Sequence, residues 1–137
     1  MLPRISSNVS VFFIESDADL LADWIVSIAK LRTVVGDDVL VLPSHGEPFR
    51  GLHARLDRLA SGHEKSLTRL RRALAEPKRA IDVFGALFAR PIEGSELLGM
   101  ATGESLAHLN HLVARGEAVH QAGADGVLRY QLRASRV

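Results

Sequence analysis

The stretch Val39-Leu-Val-Leu-Pro-Ser-His-Gly-Glu-Pro48 decides how the first part of this chain folds. Its four leading residues are all apolar, and they lie between Asp37-Asp38 and Pro43. So short an apolar run is typical of a buried β-strand rather than a helix. The run breaks at Pro43 and presents His45 between a turn residue and a glycine, which suggests a metal ligand at the end of a strand. On spacing alone, a loop histidine without a ligand role explains His45 better, because a zinc site needs three or four ligands.

The residues before this stretch predict a strand and a helix. Val9 to Ile14 is a β-branched and aromatic run, and Glu15-Ser16-Asp17 offers side chains that cap a helix start. Apolar residues then recur at three- and four-residue spacing as far as Gly36. A β-α-β unit of fifty residues cannot cover both faces of its own sheet, so we expect a partner surface along residues 9–42.

The residues after the stretch predict helices followed by a β-hairpin. An apolar stripe from Leu52 to Leu74 indicates one long amphipathic helix or two stacked ones. A second helix is expected after Pro77, a short one over 95–99, and another from Thr102 or Gly103 that stops at Gly116. Two short strands, 118–120 and 127–132, flank a glycine-rich turn at 122–126. Three helices followed by a hairpin indicate a winged helix.

Composition excludes several classes of protein. The 137 residues contain no cysteine, so disulfides and thiolate zinc sites are excluded. No apolar run is long enough to span a bilayer and no secretion signal is evident, which together predict a cytoplasmic protein without a membrane partner. The net charge is +1, and only residues 51–77, with six basic and three acidic side chains, are distinctly basic.

Three parts of the sequence resemble one known family. Pro43-Ser-His-Gly46 is similar to the last metal-binding motif of the metallo-β-lactamase-fold hydrolases, in which a strand runs into Pro-Gly-His-Gly and the histidine closes a binuclear zinc site. Ser44 replaces the first glycine of that motif. Residues 2–11 resemble the segment after the family's metal-bridging aspartate, and residues 51–132 resemble its helical linker and C-terminal winged helix.

The resemblance implies an α+β fold in three segments. Residues 1–50 are expected to form a β-α-β remnant of the metallo-β-lactamase fold, residues 51–76 a helical linker, and residues 77–137 a winged helix of three helices and a β-hairpin. The partner expected along residues 9–42 is then the missing N-terminal catalytic region of such a hydrolase, or a second copy of this chain in a homo-oligomer.

The resemblance also limits the chemistry. The family's other ligands come from an upstream His-x-His-x-Asp-His motif, a later histidine and the bridging aspartate, none of which occurs in this sequence. Zinc is therefore implied for the complete enzyme, with His45 as the one matched ligand, and neither tight zinc binding, a catalytic residue nor activity is expected of this chain alone. A binuclear zinc site activates water for hydrolysis of esters, thioesters, lactams or phosphodiesters, and the sequence does not select among them.

Other residues keep alternative functions open. His108, His111 and Arg115 are spaced to share one face of the helix that would enter a DNA groove, which makes the chain a candidate nucleic-acid-binding winged helix. Against this, no dense basic patch adjoins that helix. A structural association module is the third alternative. His63, on the apolar seam of the long helix, and His53 are interpreted as structural rather than metal-binding.

Overall fold

The computed structural model describes residues 9–11 and 16–134. The fold is α+β, with helices α1 (Leu20–Val34), α2 (Leu52–Ala73), α3 (Phe84–Leu87) and α4 (Ser95–Ala114), a 3₁₀ helix (Ala80–Val83), and strands β1 (Ala118–Ala122) and β2 (Leu128–Leu132). None of the helices in these residues combines the length and the apolarity that crossing a lipid bilayer requires.

Helix α1 begins one turn later than the sequence predicts. Asp19 is its N-cap, and a carboxylate oxygen of Asp19 accepts a hydrogen bond from the backbone N–H of Ala22 at 3.0 Å. The side-chain amide of Asn110 donates to the carbonyl oxygens of Ser16 (2.7 Å) and Ala18 (3.2 Å). Because these carbonyls are bound by α4, the preceding residues stay outside the helix and the cap falls on Asp19.

The buried strand predicted at Val39–Leu42 is wrong. Only Val41 pairs, through two backbone hydrogen bonds with Phe49 of 2.9 and 3.1 Å, while Leu40 is 53% exposed and Leu42 is 74% exposed. A buried strand needs neighbouring strands on its edges, and within the described chain Phe49 alone supplies such pairing.

The predicted strand at 9–14 is not a sheet strand where it is described. Val9 and Val11 are buried, and the backbone N–H of Val11 donates to the carbonyl of Gly103 at 3.1 Å, so this segment packs on α4. Residues 12–14 lie outside the described residues. The β-α-β unit is therefore absent from the described part of residues 1–50.

Helix α2 is continuous, as one of the two sequence alternatives predicts, and organises the core. Its N-terminal half packs with Ile28 of α1 in one apolar cluster, and its C-terminal half packs in a second cluster with α1, α4 and the hairpin. Residues from all three predicted segments share this second cluster. The buried residues of α2 are Leu52, Arg55, Leu56, Leu59, His63, Leu67 and Leu70.

The region after α2 differs from the prediction at its helices and matches it at its hairpin. The helix expected after Pro77 is a 3₁₀ turn followed by the four-residue α3, and the two helices expected over 95–115 are the single helix α4. Gly103 does not start a helix. A side chain there would meet the backbone oxygen of Val11 at 3.0 Å, so glycine allows this close approach inside α4.

The predicted hairpin is confirmed. Strands β1 and β2 are antiparallel, with Ala118 opposite Leu132 and Ala122 opposite Leu128. Gly116 ends the preceding turn with a φ of 72°, and Gly126 closes the hairpin turn with a φ of 73°, both in the left-handed region that favours glycine. Lys78 adds a bridge to Tyr130, which ties the hairpin to the segment before α3.

Candidate functional site

His45 lies in an exposed bend of the loop that the Val41–Phe49 bridge closes, shortly before α2. Gly46, which follows it, has a φ of 88° and so allows the sharp turn that the sequence predicts. The side chain is therefore presented at the surface.

His53 has a structural role, as its sequence context predicts. Its Nε2 lies 2.7 Å from the carbonyl oxygen of Val35, and its backbone N–H donates to Asp37 at 2.7 Å. Since a carbonyl oxygen only accepts, Nε2 carries the proton and offers no lone pair to a metal. The residue ties the start of α2 to the end of α1.

A histidine pair lies between α2 and α4. The Nδ1 of His63 is 3.5 Å from the Nε2 of His108, and the Nδ1 of His108 is 2.9 Å from the carbonyl oxygen of Glu104. The Glu104 carbonyl requires a proton on Nδ1 of His108, so in the neutral pair His108 accepts from His63. This order leaves Nε2 of His63 as a bare acceptor, and that buried atom has no hydrogen-bond partner among the described residues.

Burial keeps this histidine pair neutral. It lowers the pKa of His63 from 6.5 to about 4, assisted by the positive charge that His108 and His111 would carry. Burial also lowers the pKa of His108, against the opposing effect of its hydrogen bond to Glu104. At neutral pH the pair therefore acts as hydrogen-bonding groups and not as cations.

The side chains predicted to contact nucleic acid instead contact other residues of this chain. His108 and His111 are 2% and 7% exposed, and His111 Nδ1 lies 3.0 Å from a carboxylate oxygen of Asp19. Arg115 is exposed and pairs with Glu117 at 2.7 Å. The predicted exposed histidine face is wrong, because α4 packs that face against α1 and α2. Nucleic-acid binding itself stays a prediction.

A cavity of about 690 Å³ opens beside the histidine pair, between α2, residues 87–92 and α4. Its polar side chains are those of Arg55, Arg58, His63, Ser66, Arg90, Glu104 and His108. Arg55 is only 6% exposed although its side chain is charged. Its burial could have been predicted from its position in the sequence, since Arg55 lies three residues after Leu52 and four before Leu59 and therefore falls on the buried stripe of α2.

Comparison with known proteins identifies the family. The family model described as the metallo-beta-lactamase-like C-terminal domain matches residues 67–133. A beta-lactamase domain protein from Burkholderia ambifaria is 42% identical, and its crystal structure matches 96% of this chain with a TM-score of 0.91. This chain corresponds to the C-terminal portion of metallo-β-lactamase-fold proteins.

A second metallo-β-lactamase family protein, from Thermus thermophilus, is 26% identical and matches 96% of the chain with a TM-score of 0.78. The chain spans 39% of the length of each of these two structures. No curated protein matches the sequence. The family resemblance of the sequence is thereby confirmed.

The metallo-β-lactamase family is generally metal-dependent, so the side chains of this chain can be compared with the requirements of a zinc site. In residues 9–11 and 16–134, no three His, Cys, Asp or Glu side chains are grouped so that they could hold a metal ion. Because zinc takes at least three protein ligands, the described residues do not fit a complete zinc site. His45 is the one residue that the motif assigns to the metal.

Proposed function

We propose that this chain is the C-terminal portion of a zinc-dependent hydrolase, in which His45 contributes one ligand to a metal site completed by an N-terminal catalytic region. The 42% identity over 96% of the chain carries the proposal, supported by the exposed bend that presents His45 within Pro-Ser-His-Gly. The substrate is an ester, thioester, lactam or phosphodiester. The chain alone is inactive, since it has one matched ligand and no zinc-activated water.

Residues 77–137 serve this hydrolase as a winged-helix module that packs against the catalytic region. The hairpin after α4 supports this assignment. A structural role is favoured over nucleic-acid binding because His108 and His111 are enclosed by the protein. The absence of cysteines is consistent with a cytoplasmic location.

The catalytic region covers an apolar surface formed by α1 and the segment after it. Four residues there are more than half exposed, although their side chains are apolar: Val26, Val34, Leu40 and Leu42. We expect these four side chains to share one patch, and an exposed apolar patch marks an interaction surface.

A chimera tests the proposed hydrolase. The part of the Burkholderia ambifaria protein that this chain does not cover is fused to this chain, and zinc content and hydrolysis of chromogenic esters, thioesters, lactams and phosphodiesters are measured. We expect zinc-dependent hydrolysis of at least one class, and a loss of about a hundred-fold or more in His45→Ala, consistent with removal of a metal ligand. The control His53→Ala retains the activity. Equal activity in His45→Ala and the parent chimera contradicts the proposal.

The chain alone is expected to bind zinc without a tight stoichiometric site. His45 offers a single matched ligand, and coordination requires two or three more. Calorimetric titration of the purified chain with zinc measures this, with His45→Ala as the comparison. Tight one-to-one binding that disappears in His45→Ala would show that the chain, or a second copy of it, completes a site by itself.

The chain alone is expected to self-associate through the same apolar surface. A second copy covers the exposed leucines when no catalytic region does, and a symmetric pairing satisfies both copies. Light scattering measures the mass, and the double change Leu40→Ser with Leu42→Ser is expected to shift the chain to monomer. Val119→Ser is the control, because Val119 is also exposed, at 40%, but lies on the hairpin. A monomeric parent chain contradicts the expectation.

A further inference from the structure

The cavity between α2 and α4 has the size and lining of a small-molecule site. Its volume of about 690 Å³ lies within the range of roughly 300–1,000 Å³ that ligand pockets occupy. One part of the wall is apolar, with Leu59, Leu87, Phe88 and Met100, and the polar groups come from α2, from α4 and from Arg90 between α3 and α4. A ligand that fits both parts has an apolar body and a polar group.

The charge of the polar part favours an anion. Arg55 and Arg58 lie one helical turn apart on α2, and both line the cavity. Burial lowers the pKa of Arg55, and repulsion from the nearby charge of Arg58 lowers it further. An anion placed beside both guanidinium groups relieves this repulsion and accepts charge-assisted hydrogen bonds.

Basic side chains outnumber acidic ones in the described lining of this cavity. Burial holds His63 and His108 in their neutral forms. Arg55, Arg58 and Arg90 line the cavity, whereas Glu104 is the one acidic residue in its described lining, and burial raises the pKa of that carboxyl group. Ser66 accepts a hydrogen bond from Arg69 at 3.1 Å, which leaves its own hydroxyl proton to donate to a ligand.

We propose that this cavity binds a small organic anion, with a carboxylate or phosphate group beside Arg55 and Arg58 and an apolar body against Leu59, Phe88 and Met100. His63, whose buried Nε2 lacks a partner within the described chain, also lines this cavity. The inference uses only residues of this chain and does not depend on the proposed hydrolase.

Calorimetric titration of the intact chain tests the ligand class. The probes are octanoate and octyl phosphate, each of which combines an apolar chain with an anionic group. The controls are 1-octanol, which has the apolar chain without the charge, and inorganic phosphate, which has the charge without the apolar chain. We expect at least one amphiphilic anion to bind about ten-fold or more tightly than either half. If octanoate and octyl phosphate both fail to bind, or bind no better than 1-octanol, the proposal is wrong. The ratio between the two anions distinguishes a carboxylate ligand from a phosphate ligand.

Substitution of an arginine tests the polar part. Arg58→Met is expected to weaken binding of the amphiphilic anion about five-fold, as removal of a partly exposed ion pair does, and to leave 1-octanol unchanged. Arg72→Met is the matched control, because Arg72 is exposed on the same helix and does not line the cavity. Equal effects of the two substitutions contradict the assigned position of the anion.

Filling the cavity tests its location without risking the fold. A Cβ added at Gly62 meets no atom within 4 Å, Gly62 lines the cavity, and leucine favours a helix over glycine. Gly62→Leu is therefore expected to fold at least as well as the parent chain and to lose more than ten-fold in affinity. Gly99→Leu is the control, since Gly99 is an equally open helical glycine outside the cavity. Undiminished binding in Gly62→Leu places the ligand elsewhere and overturns the inference.

Discussion

Acidification from pH 6.5 to about 4 is expected to reduce the free energy of unfolding by roughly 3 kcal/mol through His63 alone. Its pKa in the folded chain is about 4, below the ordinary 6.5 that the unfolded chain restores. Between these values the unfolded chain binds a proton that the folded chain excludes, so stability is fully present above 6.5 and is lost as the pH falls. Each pKa unit corresponds to about 1.4 kcal/mol, and His108 shifts in the same direction.

Other titrating groups act outside this range or in the opposite direction. The Arg79 guanidinium lowers the pKa of Asp82 to about 2, and Arg71 lowers that of Glu117, so their stabilisation persists to a lower pH. Burial raises the pKa of Glu104, which partly offsets the histidines in acid. The loss of stability between pH 6.5 and 4.5 is therefore assigned to the histidine pair.

Urea unfolding at several pH values measures this dependence. His63→Leu removes the titrating group and is expected to flatten the dependence of the unfolding free energy on pH, whatever its effect at neutral pH. His120→Leu is the control, because His120 is exposed on β1 and lies outside the cluster. A pH dependence in His63→Leu as steep as in the parent chain would assign the effect to other groups.

Local sequence pattern was sufficient to predict the elements whose signals lie in neighbouring residues. The stripe from Leu52 to Leu74 predicts α2 because each of its buried residues falls on one helical face. The hairpin was predictable because Gly126 has to occupy the left-handed region between two short strands. The Pro-Ser-His-Gly motif pointed to the family for a similar reason, since its information is contained in neighbouring residues.

Local sequence pattern did not predict the features that depend on contacts between residues far apart in the sequence. Gly103 was predicted to start a helix, whereas it lies inside α4 and its lack of a side chain allows the backbone of Val11 to pack closely against that helix. The start of α1 depends on Asn110, more than ninety positions along the chain. The cavity was missed for the same reason, because α2, residues 87–92 and α4 contribute its lining from separate parts of the sequence.

Truncation of Leu21 to alanine is expected to destabilise the whole chain by about 3 kcal/mol. Leu21 is fully buried on α1 and belongs to the same apolar cluster as Leu109, Leu112 and Tyr130. Removing a buried leucine side chain costs roughly 2–5 kcal/mol, through lost burial and the cavity that remains. Because the cluster joins α1 to α4 and the hairpin, the loss is expected to lower the stability of all these elements together.

Two probes measured on one urea titration test this coupling. Fluorescence of Trp24, the single tryptophan, reports on α1, and amide hydrogen exchange of β1 and β2 reports on the hairpin. We expect both transitions to shift to lower urea by the same amount in Leu21→Ala, and neither to move measurably in Lys30→Ala, where the side chain is exposed on the same helix. If only the Trp24 transition shifts, residues 16–50 unfold independently of the helices and hairpin that follow. The apolar contacts of Leu21 with α4 would then contribute little to stability, and the first fifty residues would depend on the proposed catalytic region for their fold.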